Sequence, residues 1–127
     1  MADLLDDLET YFTSLNIVTP GTMFKDTLPD LPDSAIAIYC YSGYSSLPQI
    51  AGVNYSIQIV VRDKSATVAK SKAKELYNAL LTEDGILYLT PERWSLVFPR
   101  QVPFKIKVDT KERIYYGFNA DITTYAD

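Results

Sequence analysis

A chain of 127 residues with 47% hydrophobic side chains is long enough to bury the core of one ordinary domain and too short for two, so one domain over residues 1–127 is expected. Its net charge of −4 and pI near 4.7 weigh against a protein that grips phosphates, because that affinity comes from clustered Lys and Arg. The absence of histidine removes the usual general base, the Ser-His and Cys-His nucleophile pairs and the commonest metal ligand. The single cysteine, Cys40, excludes an internal disulfide, and its apolar neighbours suit a buried, inert thiol. No apolar run is long enough to span a bilayer, and the acidic start Met1-Ala2-Asp3-Leu4-Leu5-Asp6-Asp7 is unlike a secretory leader. The expectation is a soluble protein made in a cytoplasm.

In chain order, Leu4, Leu5, Leu8, Tyr11, Phe12 and Leu15 form a helical stripe, which predicts a helix over 3–15 capped by Asp3, with Asp6 and Asp7 in the dipole-favoured first turn. Asn16 suits the left-handed residue that ends it, and Thr19-Pro20-Gly21 reads as a turn before a short strand over 22–25. Pro29 and Pro32 forbid regular structure over 27–34 and make that stretch a rigid connector. Residues 35–41 are apolar nearly throughout, as a central strand is. Ser42 to Gly52, with Gly43, Ser45, Ser46 and Pro48, reads as a long loop or hairpin tip.

The clearest signal follows. Val53, Tyr55, Ile57, Ile59 and Val61 alternate with more polar residues, and after Arg62 and Asp63 the period changes: Ala66, Ala69, Ala73, Leu76, Tyr77 and Leu80 recur at helical spacing. A long strand therefore runs straight into an amphipathic helix. Glu83-Asp84-Gly85 is a turn, 86–89 a short strand closed by Pro91, and further strands are predicted over 94–98, 104–108 and 114–125. In the last, Ile114, Tyr116, Phe118, Ala120 and Ile122 share a face. These elements make an α+β domain: a mixed, mostly antiparallel sheet with two helices packed on one face.

Several of these pieces, in this order and spacing, resemble the small phage minor capsid proteins that look like tail terminators of long-tailed bacteriophages. They are the Leu28-Pro29-Asp30 and Pro32-Asp33 connector, the Ile36-Ala37-Ile38-Tyr39 strand ending in Tyr41 and Gly43, and Gln58-Ile59-Val60-Val61-Arg62 with Ala69, Lys72, Ala73, Leu76 and Tyr77 on the following helix. Pro103, Asp109, Arg113, Tyr116 and Asn119 complete the pattern. The chain departs from it where the family tends to have Leu-Gly-Arg before the late aspartate and a glycine in the turn: here stand Ile106-Lys107-Val108 and Lys111-Glu112. The resemblance implies a structural virion protein that assembles in the host cytoplasm as a homohexameric ring on the head-proximal end of the tail tube. There it stops polymerisation and meets the head-tail connector proteins. Its partners would be itself and the major tail tube protein, with no cofactor, metal or membrane, and with DNA passing through without being specifically bound. An acidic lumen would repel phosphates and suit that passage.

Rich tyrosine content fits a protein that works through contact surfaces, since the ring buries area while its hydroxyl stays satisfied. Tyr41 and Tyr44 are candidates for the tube contact; Tyr39 and Tyr41 on one strand face read equally well as half-buried core. Lys70 and Lys74 lie a helical turn apart, repel slightly and would favour an acidic partner, or else mark a solvated face. Arg62, Arg93, Arg100, Lys105 and Lys107 are placed to pair with a neighbour's carboxylates, although Lys105 and Lys107 alternate with Phe104, Ile106 and Val108 as the wet face of a strand also does. With Asn119 and Tyr125 on the last strand, the candidate subunit or tail-tube interface is Tyr41, Tyr44, Arg62, Lys70, Lys74, Arg100, Lys105, Lys107, Asn119 and Tyr125. Asp30 with Asp33 and Glu83 with Asp84 lie in turns, where Asp is chosen for its backbone hydrogen bonds rather than for catalysis. There is no phosphate loop and no metal-ligand spacing. The rival readings are another head-tail joining component such as a head-completion or stopper protein, a tube-forming protein of a related injection machine, and a small ligand-binding domain or enzyme, which would need a deep cleft with convergent polar groups.

Overall fold

The change of period at Arg62 and Asp63 is executed by short polar side chains. Asp63 Oδ1 accepts the Ser65 N–H at 2.9 Å, and the Ser65 hydroxyl accepts the Val68 N–H at 3.3 Å, so the strand stops and the helix is capped within three residues. The computed structural model describes residues 4–19, 22–45, 52–90 and 93–125, and at 42–45, 52–53, 90, 93–94 and 125 the backbone alone. The elements are α1 (Leu4–Ser14), β1 (Met23–Lys25), β2 (Ala35–Ser45), β3 (Gly52–Asp63), α2 (Ala66–Leu80), β4 (Ile86–Thr90), β5 (Arg93–Pro99), β6 (Phe104–Val108) and β7 (Ile114–Tyr125). The expected cap Asp3, the turn residues Pro20 and Gly21, and Pro91 lie outside the described residues.

The strands form one mixed seven-stranded sheet in the order β1-β2-β3-β7-β5-β4, with β6 pairing β7 off that path. β1 runs parallel to β2, and β2–β3, β3–β7, β5–β7, β4–β5 and β6–β7 are antiparallel. β5 takes the C-terminal half of one edge of β7, from Ser95↔Thr124 to Pro99↔Ala120, and β6 takes the N-terminal half, from Phe104↔Gly117 to Val108↔Ile114. β4 and β6 are consequently each paired on one side only.

The apolar stripes do what their periods require. Leu4, Leu8 and Phe12 of α1 and Ala69, Ala73, Leu76 and Leu80 of α2 join one buried cluster with Ile57, Ile59 and Val61 of β3 and Phe118, Ala120 and Ile122 of β7. Tyr77 stands edge-on to Phe118 with ring centroids 5.5 Å apart, and the Tyr11 hydroxyl donates to the Ala79 carbonyl, tying the helices together. Ala66, by contrast, is exposed at the first turn of α2. No helix among the described residues is long and apolar enough to cross a membrane.

Two departures from the sequence reading are informative. Residues 42–45 and Gly52 onward are not loop: β2 continues to Ser45 and β3 begins at Gly52, because Gly and Ser side chains do not oppose a ladder whose partners Gly43↔Tyr55 and Ser45↔Val53 are in register. The opposite face of β3 and β7 is also partly buried, at Val60, Arg62, Tyr115 and Gly117. The connector over 26–34, whose Leu31–Pro32 peptide is cis, and the β6 strand lie against this face. Gly117 marks the tightest approach: a Cβ there would stand 2.3 Å from the Ile59 carbonyl oxygen and 3.0 Å from Ile106.

Candidate functional site

The connector carries no regular hydrogen-bonding ladder, and two arginines from distant elements supply its donors instead. Arg62, at the end of β3 and only 2% exposed, donates through Nε to the Asp33 carbonyl at 3.2 Å and through Nη2 to the carbonyls of Pro32 and Asp30. Arg113, 3% exposed at the start of β7, donates through Nη2 to the Asp30 carboxylate at 2.9 Å and through Nη1 to the Asp30 carbonyl and, at 3.4 Å, the Asp33 carboxylate. A guanidinium offers five donors in a fixed fork, which is why arginine rather than lysine can bind several turns of extended backbone at once. The Tyr115 ring lies 5.9 Å from the Arg62 guanidinium and 4.7 Å from Lys107 Nζ.

The other half of the clamp is the turn over 109–113. Asp109 Oδ1 accepts the N–H groups of Lys111 (2.9 Å) and Arg113 (3.0 Å), while Oδ2 accepts the Arg113 Nε at 2.8 Å and the Tyr115 hydroxyl at 2.9 Å. Lys111 also pairs with Asp30. Burial pushes the Asp109 carboxyl up, but the hydrogen bonds from Arg113, Tyr115 and Lys111 outweigh it and hold the group well below the ordinary carboxylate range. The Asp30 carboxyl is lowered by its bonds from Lys111 and Arg113. Each of these carboxylates is occupied by cations and N–H donors, so the cluster is equipped to fix a backbone conformation rather than to exchange protons with a substrate. Among the described residues, no group of three His, Cys, Asp or Glu could hold a metal ion.

The candidate interface residues separate into two kinds. Arg62 is turned inward onto the connector carbonyls, because an extended proline-rich segment leaves its acceptors unmet. Arg100 binds Asp121 through Nε at 2.8 Å and the Ser56 hydroxyl at 3.3 Å, which lowers the Asp121 carboxyl. Asn119 is half-buried, and its N–H donates to Gln101 Oε1. The remaining cations face outward: Lys70 and Lys74 are exposed on α2, and Lys105 and Lys107 on β6, where all five residues are exposed. Among the described residues none of these four lysines has a carboxylate within salt-bridge distance.

Tyr39 and Tyr41 part company at a bulge. The β2–β3 register jumps from Cys40↔Ile57 to Ser42↔Ser56, leaving Tyr41 without a partner and 53% exposed, whereas Tyr39 is half-buried. Tyr44 and Tyr125 lie on β2 and β7 with side chains outside those described, as does that of Arg93. Cys40 is half-buried rather than fully buried, and its N–H donates to Asp26 Oδ1. The clamp residues Arg113, Lys111, Asp109 and Tyr115 were not among the expected site residues. The one local signal was the Asp109–Arg113 spacing across a polar turn; the partner, Asp30, is 83 residues away in sequence.

The connector, the end of β3 and the 109–113 turn are thus one physical unit. Residues 11–126 match the family described as bacteriophage tail terminator protein. No curated protein matches the chain. Among solved structures, a chain of the virion of a native gene transfer agent particle shares the fold with a TM-score of 0.60 at 13% identity, covering 98% of each chain.

Proposed function

This chain belongs to the bacteriophage tail terminator protein family, and from that premise we propose that it forms a hexameric ring at the head-proximal end of a phage tail tube, ends tube polymerisation and presents the head-joining surface. It is a structural protein of a phage tail, and in this reading it works as one domain over 1–127, by surface complementarity and without catalysis. The match over residues 11–126 carries the proposal. Support from the molecule comes from surfaces made to be covered: exposed Tyr41, outward lysines without carboxylates, and strands left open at the sheet edge. With the connector laid over part of the face opposite the core cluster, the open sheet edges and the outward side chains are what remain for neighbouring copies, the major tail tube protein and the head connector. Assembly takes place in the host cytoplasm, and DNA passes the ring without being held.

The reading is tested by adding the purified chain to tail tube protein polymerising in vitro. Tubes should stop growing and carry a cap at one end whose mass is that of six copies. Tubes that lengthen unchanged, with no cap, would contradict it.

A further inference from the structure

The ring reading leaves open which surfaces of adjacent copies meet. We infer that they are the basic strand β6 of one copy and the acidic, apolar corner of the next formed by the 81–85 turn and β4, an inference that rests on the ring reading. β6 has all five side chains exposed and one edge unpaired, with Lys105 and Lys107 set among Phe104, Ile106 and Val108. Ile106 and Lys107 rest on Gly117 and Tyr115, yet Phe104, Ile106 and Val108 keep 37–48% of their surface in solvent, and the unpaired edge is a template for another strand. β4 ends the sheet on the same side of β7, beyond β5, and its outer edge is open as well. Leu87 and Leu89 of β4 are buried, but Ile86 and Tyr88 point out, with Tyr88 59% and the neighbouring Phe98 56% exposed. Just before β4 stand the exposed Glu83 and Asp84; Asp84 Oδ1 accepts the Ile86 N–H at 3.0 Å, and neither carboxylate has a cation partner among the described residues.

The signs of these charges choose the partner. Two β6 edges brought together would oppose lysine to lysine, and two β4 corners carboxylate to carboxylate, so each surface discourages a symmetric pair with its own kind. A β6 surface meeting a β4 corner brings opposite charges and apolar side chains together. That contact uses two different surfaces, which is the head-to-tail type a ring of more than two copies requires. Glycine at position 85, with φ +76° and Phe98 3.3 Å from where a Cβ would lie, holds the acidic turn in place against β5.

The test uses the full chain with three sets of changes: Lys105→Glu with Lys107→Glu, Glu83→Lys with Asp84→Lys, and all four together. Ring formation is read by native mass spectrometry and by electron microscopy of tails from a deletion phage supplied with each variant. Circular dichroism melting controls for folding, which exposed substitutions should leave nearly unchanged. Each double reversal should reduce ring occupancy by about tenfold or more, and the fourfold exchange should restore it. Rings unaffected by either reversal, or reversals that the fourfold exchange does not rescue, would overturn the inference while leaving the ring itself standing. Intact rings that fail to seat on the tail with the β6 reversal would place β6 against the tube and overturn it too. Absence of rings from the wild-type chain both in solution and on tails would instead remove the ring reading on which the inference depends.

Discussion

Arg62 and Arg113 each do work at the residue scale that several backbone ladders do elsewhere. Replacing Arg62 with Met leaves the carbonyls of Pro32 and Asp33 without their donor and that of Asp30 to Arg113 alone, and a loss of about 3 kcal/mol is expected in denaturant unfolding. Lysine should recover only a minor part of it, since one ammonium cannot reach acceptors spread over the connector. Asp109 and Asp30 give the clamp an acid limit. Their folded carboxyls lie below the ordinary value of about 4, so the unfolded chain binds protons first as pH falls. The stability they contribute is fully present above roughly pH 5 and drains away as the pH drops through 4 toward their folded values. Melting temperature measured from pH 7 to pH 2 should fall across that window, and Asp109→Asn should flatten the fall while lowering stability at neutral pH. Glu112 has φ +61° in the turn, a conformation that penalises side-chain-bearing residues. Glu112→Gly is expected to raise stability by about 0.5–1 kcal/mol in the same unfolding measurement.

At the scale of elements, Gly117 sets how closely β3 and β7 approach. Gly117→Ala would drive a Cβ into the Ile59 backbone oxygen, which no rotamer can relieve; a destabilisation of about 3 kcal/mol and loss of amide protection along β3 and β7 should follow in hydrogen exchange. The elements themselves were readable wherever hydrophobic period exceeded local noise: α1, α2, β3 and β7 fall within a residue or two of the expected bounds. The extension of β2 and β3 past residue 41 was hidden because Gly43, Ser45 and Gly52 carry turn composition while their pairing partners enforce a strand. The exposure of Tyr41 depends on a bulge, which is a property of two strands together and has no signature in one. The clamp was less legible still. Asp30 and Arg113 look like unrelated turn residues until folding brings them within hydrogen-bond distance, and Arg62 looks like a surface cation until the connector is laid over it.

For the whole molecule, the same features describe a part that is stiff inside and unfinished outside. The connector and the 109–113 turn are locked by buried guanidinium groups and the strand-to-helix switch by Asp63 and Ser65, while four lysines, Tyr41 and the β4 and β6 edges remain uncovered. A protein that ends a polymer needs both: a shape that does not adapt, and surfaces that its neighbours complete. The central claim is that this chain decides where the tail stops. Tail length measured by electron microscopy in a phage lacking the gene tests it most directly. Tails longer than wild type, or tails that never join heads, both restored by supplying the chain in trans, are the predicted result. Tails of normal length beside heads that leak their DNA would contradict it.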